Sequence, residues 1–248
     1  TLWAEDPADH FLLNATAASV YSLSLVGEAL GDADLVRTCR GAAERVASQR
    51  GLDPNGSKQA AAMLALSGMR DPGEMFAALL GRDGHAGVST FYGYYVLEAM
   101  SAAGENRRAL DTVRDYWGGM LDLGATSFWE DFDIDWMENA GRIDEAPCEG
   151  KTDVHRTYGN YCYKGYRHSL CHGWASGPAG FLTQYVLGIT DISDGGRKIR
   201  IEPHLGSLEW AKGSFPTPYG TVDVKVTKNA AGFLKVETDA PSKVSIIK

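Results

Sequence analysis

The sequence predicts a mainly helical chain that ends in a small all-β module. Two observations carry this. Residues 8–122 are Ala-rich segments of helical spacing parted by short Gly- and Asp-containing breaks, and from residue 197 the pattern changes to alternation with many β-branched residues. A third observation places a site between them: residues 124–171 are aperiodic and dense in aromatic and acidic side chains.

Residues 8–30 and 33–50 read as helices separated by "GD". After the turn "GLDPNGS" come helices over 57–67 and 72–80, the second opened by Pro72, a residue suited to a first helical turn. Helices over 89–103 and 105–121 follow, parted by Gly104, and "SGPAGFLTQYVLGI" supplies one more near Ser176 and Pro178. Short links favour antiparallel neighbours, hence stacked helical hairpins. The resulting stack is not closed, so the chain is expected to be part of a longer polypeptide. "RKIRIEP", "LEWAKGSFPTPYG", "TVDVKVTK", "FLKVETD" and "KVSIIK" read as antiparallel strands, with "KNAAGF" as a hairpin turn.

The 248 residues are 44% hydrophobic, enough for a real core, and their net charge of −8 argues against a nucleic-acid partner, which needs a basic face. The most apolar stretch, "FLLNATAASVYSLSLVGEAL", is interrupted by Asn14, Thr16, Ser19, Ser22, Ser24 and Glu28. It predicts a buried core helix rather than a bilayer span. No signal-peptide pattern opens the sequence, and four cysteines do not make a disulfide scaffold, so the compartment stays open among periplasm, exterior and cytoplasm.

"GATSFWEDFDIDW", residues 124–136, gathers Phe128, Trp129 and Trp136 with Glu130, Asp131, Asp133 and Asp135. In an extended segment Phe128, Glu130, Phe132, Ile134 and Trp136 share one face, and Trp129, Asp131, Asp133 and Asp135 the other. Glu130 is then the lone carboxylate on an apolar side, the usual setting for general acid or base chemistry. Aromatic faces beside carboxylates also suit sugars, covering C–H faces while accepting from hydroxyls. A solvated acidic edge with aromatic anchors is an equally open reading. A calcium loop is not supported: Trp136 stands where the EF-hand loop needs Gly, and Arg142 where it needs a bidentate Glu.

"YCYKGYRHSLCHGWASGP", residues 161–178, holds Cys162, His168, Cys171 and His172, with Cys148 and His155 nearby. The spacings match no closed zinc site, so buried thiols or one bridge are expected instead. Because Pro178 fixes a first helical turn, His172 and Trp174 belong to the loop leading into that helix, as a polar contact and a stacking ring.

These motifs in this order, "LGATSFWEDFDIDW", "HSLCHGWASGPAGFLTQYVLGI" and "IRIEPHLGSLEWAKGSFPTPYG", resemble the α-L-rhamnosidases of glycoside hydrolase family 78. The upstream "GVSTFYGYYVLEAMSAAGENRRALDTV" looks like the family's helix pair before its Trp-Glu loop. The resemblance implies that residues 1–192 are the C-terminal portion of an (α/α)6 barrel, and that residues 193–248 are a C-terminal β-sandwich. It implies inverting release of terminal α-L-rhamnose, with Glu130 as general base and His172 contacting the sugar. Trp129, Asp131, Asp133, Trp136 and Trp174 are the further expected substrate contacts. Cys171 replaces the family's usual Asn, and "EDFDIDW" departs from its common Glu-x-Trp continuation. The general acid is expected upstream of this chain, so the chain alone is expected to be inactive.

Partners implied are a carbohydrate substrate and the upstream part of the barrel or another copy of the chain; no nucleic acid, membrane, metal or cofactor is expected. Another (α/α)6 sugar-active enzyme, such as a hydrolase of uronic-acid oligosaccharides, remains an alternative. So does a non-catalytic carbohydrate-binding or structural fragment.

Overall fold

The first hairpin pairs α1 (Ala8–Leu30) with α2 (Ala33–Arg50) in a computed structural model that describes residues 8–50, 53–154 and 169–248. The two helices approach through Gly27, where a Cβ would come within 3.0 Å of Val36 Cγ2. Asp32 closes the turn between them, accepting from the Leu35 N–H at 2.9 Å. The expectation of a buried core helix fails for the described side chains of α1: Ala18, Ser24 and Gly27 are buried, but Leu23, Leu25, Val26 and Leu30 are exposed. One narrow stripe faces α2 and α3, and nothing among the described residues covers the rest. No described helix is long and apolar enough to cross a membrane.

α3 (Lys58–Leu66) starts at Ser57, whose side chain accepts from the Ala60 N–H, and it buries Ala60, Ala61, Ala62, Leu64 and Ala65. α4 (Pro72–Met75) starts at Asp71, which accepts from the Glu74 N–H at 2.9 Å, and continues as a π-helical turn, Phe76–Leu80. α5 (Gly93–Ala102) packs against α3 and α6 (Asn106–Thr112). α6 runs on through a π-turn, Val113–Trp117, into α7 (Gly118–Asp122). Residues 124–154 form the expected loop, with a short 3-10 turn, Ile134–Met137, and a bridge between Ala140 and Thr152. α8 (Gly177–Phe181) follows and ends in a π-turn, Leu182–Val186.

The β-module has two three-stranded sheets. One joins β1 (Ile189–Ser193), β2 (Lys198–Ile201) and β6 (Ser245–Ile247), and the other β3 (Trp210–Thr217), β4 (Gly220–Lys228) and β5 (Leu234–Asp239). All pairs are antiparallel except β2–β6, which is parallel because β6 returns from the second sheet to the far edge of the first. The sequence pattern does not announce β1: "ITDIS" directly continues the apolar run of α8 and carries no turn signal of its own beyond Gly188. That glycine, at φ +75°, lies where a Cβ would be 2.1 Å from the Glu202 carbonyl carbon. In the β4–β5 hairpin, the Asn229 side chain accepts from the N–H groups of Ala231 and Phe233, each at 3.0 Å.

Val222, Val224 and Val226 point inward from β4, and each buried valine contributes about 1.5 kcal/mol or more of apolar burial. Leu187 at the end of the helical part sits against Gly213 of β3. The same continuous core takes in Val96, Leu97, Trp117, Trp129 and Phe181, so helices and sheets share one apolar interior.

Candidate functional site

The acidic-aromatic segment leaves α7 at Gly124, whose φ is +89° and where a Cβ would lie 2.2 Å from Asp144 Oδ1. Asp144 is fixed by Arg142, which donates to both its carboxylate oxygens at 2.9 and 2.8 Å and to the Asp122 carbonyl at 2.8 Å. The 138–154 excursion thereby locks onto the start of the segment. Residues 127–130 then run antiparallel to 169–172. Glu130 N–H donates to the Ser169 carbonyl at 2.8 Å, His172 N–H donates to the Phe128 carbonyl at 2.8 Å, and the Ser127 hydroxyl donates to the Leu170 carbonyl.

Glu130 is 2% exposed. Its Oε2 accepts the Ser169 N–H at 2.8 Å. Its backbone carbonyl accepts from Thr90 Oγ1 at 2.6 Å and from Trp174 Nε1 at 2.9 Å. His172 Nδ1 stands 3.9 Å from Glu130 Oε2, beyond hydrogen-bond reach but close enough for a charge interaction, and the His172 side chain is 28% exposed. The His172 and Trp174 rings lie 4.2 Å apart, and Trp174 in turn sits 5.8 Å from Phe91 at 34°. Phe91 continues into Tyr92 and Tyr95, at 4.8 and 6.0 Å.

Two segments read separately in the sequence therefore meet: Glu130 comes together with His172 and Trp174, both placed before α8. The other expected contacts are distributed differently. Trp129 is 1% exposed and belongs to the core, edge-on to Phe132 at 5.8 Å. Trp136 is half-buried against Phe132 at 6.0 Å. Asp131 is partly buried and Asp133 exposed. The strict alternation expected for 128–136 is not kept. Trp129 and Glu130 are both buried, and at Asp133 the side chain accepts from the Asp135 N–H at 3.0 Å, starting the 3-10 turn that ends the extended run.

The thiol expectation also changes, because Cys148 and Cys171 are exposed and free, whereas Cys39 is buried. Cys162, His155 and His168 lie outside the described residues. A groove of about 700 Å³ between α1 and α2, lined by Glu28, Asp32, Val36, Arg37 and Arg40 among others, does not include Glu130, His172 or Trp174.

The sequence pattern does not mark Thr90 and Phe91 as site residues. They lie inside the helix expected over 89–103, but the helix begins at Gly93, and residues 88–92 form the turn that reaches Glu130. The pair Ser89-Thr90, residues that favour helix starts over helix interiors, is the signal that marks this. Behind the turn, Glu98 receives the Tyr94 hydroxyl at 2.9 Å, and burial raises its carboxyl above the usual range. Burial first, and Glu98 second, push Tyr185 up to about 12.

Residues 188–247 match the family model of the bacterial alpha-L-rhamnosidase C-terminal domain. The chain is similar in fold to the GH78 family rhamnosidase of Bacillus sp. GL1, with TM-score 0.68 and 23% identity over 93% of this chain and 25% of that one. It is also similar to the alpha-L-rhamnosidase from Dictyoglumus thermophilum, with TM-score 0.65 and 17% identity over 93% and 25%. A third is the Streptomyces avermitilis alpha-L-rhamnosidase complexed with L-rhamnose, with TM-score 0.65 and 16% identity over 93% and 22%. Among curated proteins none matches. These findings bear out the resemblance to glycoside hydrolase family 78, and the chain spans about a quarter of the length of those structures.

Proposed function

We propose that this chain carries the general-base side of a glycosidase site that releases terminal α-L-rhamnose with inversion. The observation that supports it most is the grouping of a buried carboxylate, Glu130, with His172 and Trp174 on its accessible side. In this reading Glu130 takes a proton from the water that attacks the anomeric carbon opposite the leaving group. His172 exchanges a hydrogen bond with a sugar hydroxyl, as a neutral imidazole can by donating or accepting. A second carboxyl group, roughly 6.5–9.5 Å from Glu130 in inverting enzymes, protonates the leaving oxygen. We assign that acid to polypeptide beyond these 248 residues, and read the helices as part of an (α/α)6 barrel that this polypeptide or another copy completes. The β-module is read as the barrel's C-terminal sandwich domain.

A second reading has its own support. Glu130 Oε2 accepts the Ser169 N–H, so the carboxylate also clamps the 169–172 loop, a role that a non-catalytic sugar-binding fragment would equally need. The test is hydrolysis of 4-nitrophenyl α-L-rhamnoside by the whole polypeptide carrying this chain, with NMR of the first anomer released. Turnover giving the β-anomer first supports the proposal. Retention, turnover of uronic-acid oligosaccharides alone, or sugar binding without turnover would each overturn it.

A further inference from the structure

The β3–β4–β5 sheet has an outer face that the core does not use. Val222, Val224 and Val226 of β4 turn inward, so the residues between them turn outward, and the strand register fixes what stands beside each. Two rungs cross this face from β3 through β4 to β5: Trp210–Thr227–Lys235 and Lys212–Lys225–Glu237. Trp210 is 63% exposed, more than Trp174 beside Glu130. Lys212 and Lys225 stand directly opposite each other, a like-charge pairing that costs stability in a sheet. Glu237 receives Lys235 at 2.6 Å and Lys225 at 3.8 Å. The two rungs therefore hold three ammonium groups against one carboxylate, on a chain whose net charge is −8. The next rung is acidic, with Asp223 opposite Asp239, and the Ser214 hydroxyl donates to Asp223.

We propose that this face binds an acidic polysaccharide built of uronic-acid residues, with a pyranose ring on the Trp210 indole and its carboxylate between Lys212 and Lys225. The proposal uses none of the residues around Glu130 and does not rest on the glycosidase reading. Successive rungs on one face lie about 7 Å apart, so a carboxylate on a ring stacked over Trp210 falls within reach of both long lysine side chains. A bound carboxylate relieves the Lys212–Lys225 repulsion, which a neutral glycan would leave in place. The Thr227 hydroxyl beside the indole can donate to or accept from a sugar hydroxyl, and Asp223 can accept from the next residue along the chain. An acidic peptide would meet the same charges but has no flat face of C–H groups to lay on the indole, so the exposed ring decides for the sugar.

The test is calorimetric titration of the whole polypeptide with tetragalacturonate and two controls. Its fully methyl-esterified form keeps the rings and loses the charge, and tetraglutamate keeps the charge and loses the rings. Tetragalacturonate should bind about tenfold more tightly than either control and should weaken as salt rises. Trp210→Ala should weaken that binding about tenfold, and Trp210→Phe much less. Lys212→Gln should weaken it and flatten its salt dependence without lowering the unfolding midpoint, because the substitution removes one of two opposed charges. His172→Ala should leave it unchanged. Equal binding of either control, or binding that survives Trp210→Ala, overturns the proposal. Binding lost in His172→Ala also overturns it and puts the oligomer at the Glu130 site instead. No binding of tetragalacturonate overturns it as well, and leaves the glycosidase reading untouched.

Discussion

Glu130 combines two demands that rarely coincide in a surface carboxylate: it is almost wholly buried, yet its Oε2 lies 3.9 Å from a side chain that reaches solvent. Its backbone is held from both sides, by Thr90 and Trp174 at the carbonyl and by Ser169 at the N–H. Thr90→Val deletes one of these bonds at nearly constant volume. It should cost about 1 kcal/mol in denaturant unfolding, because a buried carbonyl loses a donor but keeps another. His172→Ala should raise KM for a rhamnoside about tenfold, the value of one sugar hydrogen bond, with a smaller loss in kcat than a base deletion gives. Glu130 and His172 were legible in sequence because each sits in a short motif whose composition is odd on its own. Thr90 and Phe91 are not, since only tertiary packing brings Thr90 across forty residues to Glu130 and sets Phe91 beside Trp174. Trp129 shows the converse: a tryptophan next to the key carboxylate suggests a sugar contact, but its ring packs edge-on to Phe132 in the core.

At the scale of elements, caps and breaks carried most of what the sequence foretold. Ser57, Asp71 and Gly104 mark helix ends where the periodicity said they should. What escaped was structure whose signal merges with its neighbour, such as β1 running on from α8, and the 3-10 turn that Asp133 starts inside an apparently alternating stretch. The junction between α8 and β1 is the place most sensitive to a single added carbon. Gly188→Ala combines positive φ with a Cβ driven into the Glu202 backbone, so it should lower stability by about 3 kcal/mol in urea unfolding. Lys58 holds the loop ahead of Thr90 by donating to the carbonyls of Arg82 and Gly84 at 2.6 and 2.7 Å. Lys58→Met leaves both acceptors without that donor, and should loosen residues 82–88, read as faster amide exchange there, before it affects the β-module.

For the whole molecule, a core shared by helices and sheets predicts one cooperative unfolding transition rather than two. Its alkaline limit follows from phenols that are buried, as Tyr116 is, or half-buried, as Tyr94 and Tyr185 are. Burial and nearby carboxylates raise Tyr94, Tyr116 and Tyr185 above the ordinary tyrosine value of 10.0. A group whose folded pKa is raised stabilises fully below its unfolded value and loses that contribution as pH climbs through the folded one. From about pH 10 the unfolded chain releases protons that the folded chain retains, so stability should fall steeply, with tyrosinate absorbance appearing together with unfolding. Lys58, which burial lowers, acts in the opposite direction below 10.5, but it is one group against three. The central claim, that this interior holds Glu130 as a catalytic base, is tested most directly by steady-state hydrolysis of 4-nitrophenyl α-L-rhamnoside by Glu130→Gln in the whole polypeptide. Gln still offers an oxygen to the Ser169 N–H, so the loop should stay in place and the unfolding midpoint should hardly move. The account predicts a loss in kcat of about 10²–10⁴-fold with KM little changed; near-normal turnover in that folded variant would contradict it.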